Sequence, residues 1–232
     1  MQDHRAALIV GAGTGLSASL ARLFARQGLR VGLAARSTDK LTVLCEEIGA
    51  HAFACDAARP DAVTRLFEET DAAIGSPDVV VYNASARPPR ASFIDLDPLE
   101  VERALSITAF GGFLVAQQAA RRMVPKGRGA ILLTGASASV KGYARSAPFG
   151  MGKFALRGLA QSLARELAPQ GIHVVHFVID GRIASAPSAN SPDQSDAMLD
   201  PDAIAETYFH VLQQPRNAWT WEVELRPWVE TF

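Results

Sequence analysis

The chain has little of what marks a metalloprotein, a disulfide-stapled domain, a membrane protein or a polyanion binder. Its two cysteines, Cys45 and Cys55, fall in an expected helix and at the end of an expected strand. Their spacing suits neither a zinc site nor a disulfide framework, so both are expected to be buried, reduced thiols. No HExxH or Cys/His spacing occurs. Of the five histidines, His4, His51 and His210 are scattered. His173 and His176 are three apart in one expected strand, an odd separation that sends them to opposite faces. No metal is expected. No stretch approaches about 18 uninterrupted apolar residues, so no membrane span is expected. The apolar run 6–10 behind Met1 is too short for a signal-peptide core and no cleavage pattern follows it. A formal net charge of −1 provides neither a basic surface for nucleic acid nor an acidic tail. The expectation is a cytoplasmic protein that meets a small-molecule substrate, without nucleic acid or membrane.

What is present is a regular alternation. Short runs rich in Val, Ile and Leu at 6–10, 29–34, 52–54, 78–82, 130–133 and 172–179 alternate with helical patterns at 15–27, 39–48, 60–74, 98–123 and 147–168. This predicts a doubly wound α/β fold: a parallel sheet of right-handed βαβ units in three layers. The strands are apolar throughout, which places helices on both sheet faces. The 232 residues match one domain, 1–232, with room for a sizeable core. Between 104 and 120 the only polar side chains are Ser106, Thr108, Gln117 and Gln118, so this helix needs cover on more than one side. With the apolar stripe Leu156, Leu159, Leu163 and Leu167, it suggests a homodimer or homotetramer built on long helices. Residues 184–200, rich in Ser, Pro, Ala and Asp, are expected to form a mobile substrate lid. Trp219 and Trp221 are expected on one face of a last strand, 218–225, as packing residues.

After the first strand the chain reads Gly11-Ala12-Gly13-Thr14-Gly15-Leu16-Ser17 and enters a helix. Glycines at such a turn let the backbone approach a pyrophosphate and present amides at a positive helix N-terminus. The second strand ends in Arg36-Ser37, with no acidic residue before Asp39. A ribose 2′-hydroxyl would call for a carboxylate there, whereas a guanidinium pairs with a 2′-phosphate. NADP(H) is therefore expected over NAD(H).

With these residues in place the chain resembles the short-chain dehydrogenase/reductase family from about 6 to 183. The turn is similar to the family's TGxxxGxG at Gly11 and Gly15, with Val10 for its threonine and Ser17 for its last glycine. Asp56 matches the aspartate used near adenine. Asn83, Ala84 and Ser85 correspond to NAG of its NNAG motif, and Asp180-Gly181 to its Pro-Gly beside the nicotinamide, with Ile183 following. The resemblance implies cofactor contacts from Gly11, Gly13, Thr14, Gly15 and Leu16, from Arg36, Ser37 and Asp56, from Asn83, Ala84 and Ser85, and from Lys153, Gly181 and Ile183.

The family's catalytic YxxxK is matched by Phe149 and Lys153, its serine by Ala136 with Ser137 one place on and Ser139 beyond, and its asparagine by Thr108. Phenylalanine has no proton to give. Three substitutes are available: Tyr143, Ser137, and Lys153 itself with a pKa lowered by burial. The resemblance thus implies an NADP(H)-dependent oxidoreductase acting on a small or medium carbonyl or alcohol through an altered proton relay. The alternatives are a non-catalytic NADP(H) sensor or assembly protein, and cofactor-independent chemistry in the same cleft.

Overall fold

The computed structural model describes residues 4–184 and 197–230. Seven parallel strands form one sheet in the order β3-β2-β1-β4-β5-β6-β7. They are β1 (Ala6–Val10), β2 (Arg30–Ala35), β3 (His51–Ala54), β4 (Val79–Tyr82), β5 (Gly129–Thr134), β6 (Ile172–Ile179) and β7 (Glu222–Leu225). Every residue of β1, β4, β5 and β6 is buried, as continuous apolar runs require. Alternate strand residues feed two cores. Ala7, Ile9, Val79, Val81 and Leu132 face α1 (Leu16–Arg26), α2 (Thr42–Ile48) and α7 (Pro201–Leu212). Leu8, Val10, Val80, Ile131 and Leu133 face α3 (Pro60–Ala73), α5 (Gly111–Met123) and α6 (Ala147–Leu167).

The chain winds outward from β1 to β3 and then crosses back to β4. That reversal leaves a crevice beyond the carboxyl ends of β1 and β4, where open α/β sheets take their ligands.

The helix expected over 98–123 is interrupted. α4 (Pro98–Leu105) passes into a π-helical turn, Ser106–Phe110, before α5 begins at Gly111. Tyr82, fully buried at the end of β4, donates its hydroxyl to the carbonyl of Ile107 inside this turn. A Cβ at position 111 would stand 2.4 Å from that hydroxyl. The extra residue of the π turn and the bare glycine together make room for the phenol. Phe110 and Phe113 remain 45% and 41% exposed, so part of this apolar helix is uncovered in one chain.

α7 is absent from the sequence reading, although its signals are present. Asp200 caps it by accepting from the amides of Asp202 and Ala203, and Pro201 opens its first turn. Ile204, Tyr208 and Val211 give its buried stripe. The last strand is shorter than the expected 218–225. Gln214 binds the amide and hydroxyl of Thr220, which turns the chain sharply and leaves Trp219 and Trp221 ahead of the ladder. Trp219 stacks on His173 with ring centroids 4.5 Å apart, and Trp221 lies under the Arg157 guanidinium. Most of the expected lid, 185–196, lies outside the described residues. Both cysteines are free, Cys55 buried and Cys45 half-buried.

Tyr208 ties α7 to the sheet. Its ring stacks on Phe177 of β6, and its hydroxyl is 2.9 Å from Thr134 Oγ1 at the end of β5. Tyr208→Phe is expected to lower unfolding free energy by about 1 kcal/mol, the worth of one hydrogen bond. Tyr208→Ala should cost about 3–5 kcal/mol through the cavity it leaves; urea melts at pH 7 measure both, and no loss in the phenylalanine variant would mean that the hydroxyl contributes nothing.

Candidate functional site

The glycine turn sits in the crevice at the strand-order reversal. Gly11 has φ +86°, and a Cβ there would come within 2.3 Å of the Ala84 amide nitrogen. Two chain segments meet here with no side chain between them. The amides of Gly11 and Ala12 both donate to Ala34 O, and the amide of Asn83 donates to Val10 O, so β1, β2 and β4 end in one hydrogen-bonded cluster. Ser17, read from sequence as a departure from the motif, closes it: its hydroxyl donates to Gly11 O at 3.3 Å and accepts from Asn83 Nδ2 at 2.7 Å. By contrast, a Cβ at Gly13 or Gly15 would meet nothing within 4 Å. Those two glycines line a cleft of about 310 Å³ with Leu16, Ser17, Asn83 and Ile183. Gly15 is the N-cap of α1 and offers no side-chain cap. The Ala18 amide donates to Gly15 O, which leaves the amides of Leu16 and Ser17 at the open end of the helix, beside a space suited to an anion. Thr14 is exposed on the turn.

A second cleft of about 430 Å³ continues from Gly11 along the ends of β2, β3 and β4. It is lined by Arg36, Lys40 and Asp56 on one side and by Asn83, Ala84 and Ser85 on the other. Arg36, Ser37 and Lys40 are exposed. Lys40, on the short 3-10 turn Asp39–Leu41 that follows the end of β2, was not singled out from sequence, and no helical spacing links it to Arg36. Asp56 is partly committed, accepting from the Ala58 amide at 3.1 Å.

The remaining predicted residues gather at the ends of β5 and β6. Lys153, on α6, is only 3% exposed, and its Nζ donates to Thr134 O at 2.7 Å. Burial pulls its pKa down to about 8. Phe149 lies one turn earlier on the same helix face. Lys153 Nζ is 5.9 Å from its ring centroid and the Arg87 guanidinium 5.1 Å, so two cations attend one aromatic ring. Thr108, in the π turn, is buried and accepts from the Ala86 amide. A Cβ at Gly152 would stand 2.9 Å from Thr108 Cβ, which packs the turn against α6.

The two other proposed proton donors are placed less favourably. Ser137 is half-buried on a short 3-10 turn, and it is Ser139, fully buried, that accepts from the Ala136 amide. Tyr143 is 40% exposed, borders neither cleft, and lies near Lys141. Lys141 in turn binds Asp180 Oδ2 at 3.3 Å. Gly181 adopts φ +152° against Pro227, and Ile183 forms a bridge with Leu199.

Two residues with no role assigned from sequence stand beside this group. His176, dismissed there as half of an impossible metal pair, is fully buried with Nδ1 3.0 Å from Glu222 Oε2. Glu222 also holds a bidentate contact with Arg157 of α6. Only the fold brings β7 against β6 and α6, so local pattern carried no signal for this cluster. His173, on the opposite face, binds Thr220 O.

Residues 5–194 match the model of the short chain dehydrogenase family. Secoisolariciresinol dehydrogenase of Forsythia intermedia is 32% identical over 176 residues, covering 74% of this chain; the match spans 64% of that relative's length, less than two thirds. Among solved structures, a short-chain dehydrogenase from Rhodopseudomonas palustris superposes with a TM-score of 0.81 at 32% identity, covering 97% of this chain and 99% of the other. A metagenomic short-chain oxidoreductase, solved in complex with NADP, gives 0.82 at 26% identity, covering 96% and 97%. With a parallel sheet that reverses at β1 and β4, a glycine turn at that reversal and a family match across most of its length, this chain belongs to the short-chain dehydrogenases, an oxidoreductase family.

Proposed function

We propose that this short-chain dehydrogenase prefers NADP(H), interconverts a small or medium carbonyl compound and its alcohol, and uses Lys153 as the group that moves the proton. The observation that carries this reading is a buried, hydrogen-bonded lysine with a pKa near 8, one turn from a phenylalanine at the position of the family's tyrosine. A lysine is kept in such a place against its desolvation cost only where its charge or proton is used.

The chain's own residues suit the cofactor. Gly13 and Gly15 leave space that a Cβ would fill, and the first-turn amides of α1 would hold the pyrophosphate. Arg36, Lys40 and Ser37 would meet a 2′-phosphate; Asp56 would lie near the adenine, and Asn83, Ala84 and Ser85 along the cleft between them. Gly181 and Ile183 would border the nicotinamide, whose ribose Lys153 would bind. The NADP complex of the metagenomic relative supports this choice of nucleotide. When bound, the nicotinamide supplies or accepts the hydride.

Proton movement falls to the protein. In reduction, the Lys153 ammonium gives a proton to the carbonyl oxygen as the new C–H bond forms, leaving a neutral amine. In oxidation, the amine takes the hydroxyl proton as the hydride departs. Phe149 excludes water from this exchange and contributes no proton of its own.

Four outcomes test this. NADPH should bind more tightly than NADH, and Arg36→Ser should weaken NADPH alone by roughly 10- to 100-fold, the worth of about one charge-assisted bond; equal affinities in the unmodified protein would sink the preference. Carbonyl reduction should fall as pH rises through about 8 and alcohol oxidation should rise. Lys153→Met should lower turnover by about 10²- to 10⁴-fold yet raise stability by about 1–3 kcal/mol, since it removes a buried charge. The sign follows from linkage: between about 8 and the ordinary 10.5 the unfolded chain binds more protons. Stability of the unmodified protein therefore rises across that window, and the gain from methionine is largest below it. Finally, Phe149→Tyr should increase reduction; if turnover appears only in that variant, the natural protein binds cofactor without catalysing.

A further inference from the structure

Beyond Asn83-Ala84-Ser85 the chain leaves the end of β4 as Ala86-Arg87-Pro88-Pro89. A residue before proline is confined to extended conformations, and each proline fixes its own φ, so little backbone freedom remains at Arg87. The fold pins this stretch on both sides. The Ala86 amide donates to Thr108 Oγ1 at 3.1 Å, and the Ala91 amide donates to Arg145 O at 3.3 Å. Thr108 in turn packs on Gly152 of α6, the residue before Lys153. Arg87 is thereby held against α6, with its guanidinium 5.1 Å from the Phe149 ring centroid. It is exposed and lines the cleft that runs from Gly11 along the strand ends. Among the described residues its guanidinium has neither an ion pair nor a hydrogen bond. The two carboxylates lining that cleft are engaged elsewhere: Asp56 accepts from the Ala58 amide, and Glu100 faces Arg103 at 4.0 Å.

We propose that Arg87 is the specificity-determining residue of this site and that the substrate is a small oxo acid, or the matching hydroxy acid, whose carboxylate the guanidinium takes as a bidentate pair. This names the substrate class for the carbonyl chemistry proposed above, and rests on that reading only for placing the carbonyl at Lys153. A ring beneath a guanidinium occupies its face, whereas a carboxylate binds the N–H edge. Phe149 can therefore orient Arg87 without competing for the ligand. Two cations at one ring, with no carboxylate paired to either among the described residues, favour an anion there. Size follows from the same ring. The sum of the two ring distances caps the separation of Arg87 Cζ and Lys153 Nζ at about 11 Å. Once each cation holds its oxygen at hydrogen-bond distance, a few ångströms remain between the carbonyl oxygen and the carboxylate. Two or three bonds fill that span, as in a 2-oxo or 3-oxo acid.

The test is calorimetric binding to the full chain saturated with NADP+, a state in which an oxo compound cannot be reduced. The probes are 2-oxopentanoate and 3-oxopentanoate, each beside its methyl ester, which keeps the carbonyl and loses the charge. At least one acid should bind more tightly than its ester by roughly 10- to 100-fold, the worth of one charge-assisted pair. Arg87→Gln should erase that preference and leave the ester and NADP+ affinities unchanged, and Arg87→Lys should restore part of it. Equal binding of acid and ester, no binding of either, or a preference that survives Arg87→Gln would overturn the proposal. So would weaker NADP+ binding in Arg87→Gln, which would assign the guanidinium to the nucleotide, or an equal loss of acid and ester, which would leave Arg87 a packing residue of Phe149. Should NADP+ not bind, the same contrast measured without nucleotide decides. The outcome is separable from the role of Lys153. An arginine-dependent acid preference without turnover of NADPH keeps this assignment and removes the proton role of the lysine, whereas turnover of neutral carbonyls without an acid preference does the reverse.

Discussion

Gly11 and Ala84 touch backbone to backbone, and most of the molecule's functional architecture follows from that contact. Connections that wind outward in both directions from a parallel sheet must diverge at one place, and here it is above the paired ends of β1 and β4. The crevice is usable only if both strands end level and nothing intrudes between them. Gly11 meets this by lacking a Cβ and adopting a left-handed backbone. The Ser17–Asn83 hydrogen bond then locks the two ends in register. Amides from the start of α1 can face the crevice because the turn is held from behind by Ala34 O.

The fold was legible because its signals are local and repeated. Six apolar runs and the patterns between them specify a covered parallel sheet, and the glycine turn reads correctly because a strand precedes it and a helix follows. What escaped reading depended on distance or on competing interpretation. The Asp200-Pro201 start of α7 was hidden by the polar segment before it. The π turn depends on a phenol from β4 entering between α4 and α5, which no helical periodicity reveals. Ser17 looked like a lost glycine until its partner Asn83, 66 positions away, stood beside it. Glu222, Arg157 and His176 come from three elements and acquire meaning only together. Lys153 was legible from its spacing to Phe149, whereas the degree of its burial was not.

The cluster around Lys153 also illustrates how a site can be costly to keep. Its ammonium is removed from water and a neighbouring imidazole is held neutral, both against solvation. The surrounding elements are correspondingly rigid: α6 packs through Leu156 and Ala160, fully buried, and β5 and β6 are buried along their entire length. Such a frame can hold a poorly solvated charge in one geometry, which loops alone do poorly.

Thr134 has a further implication. Its carbonyl binds Lys153 on one side of the sheet, while its hydroxyl meets Tyr208 of α7 on the other. A single residue thus belongs to both helical layers at once. Over evolutionary time the two layers cannot drift independently at this level, because a replacement at 208 that shifts β5 is also felt at 153. The substitution history of an outer helix with no part in the chemistry is thereby tied to that of the proton-handling lysine.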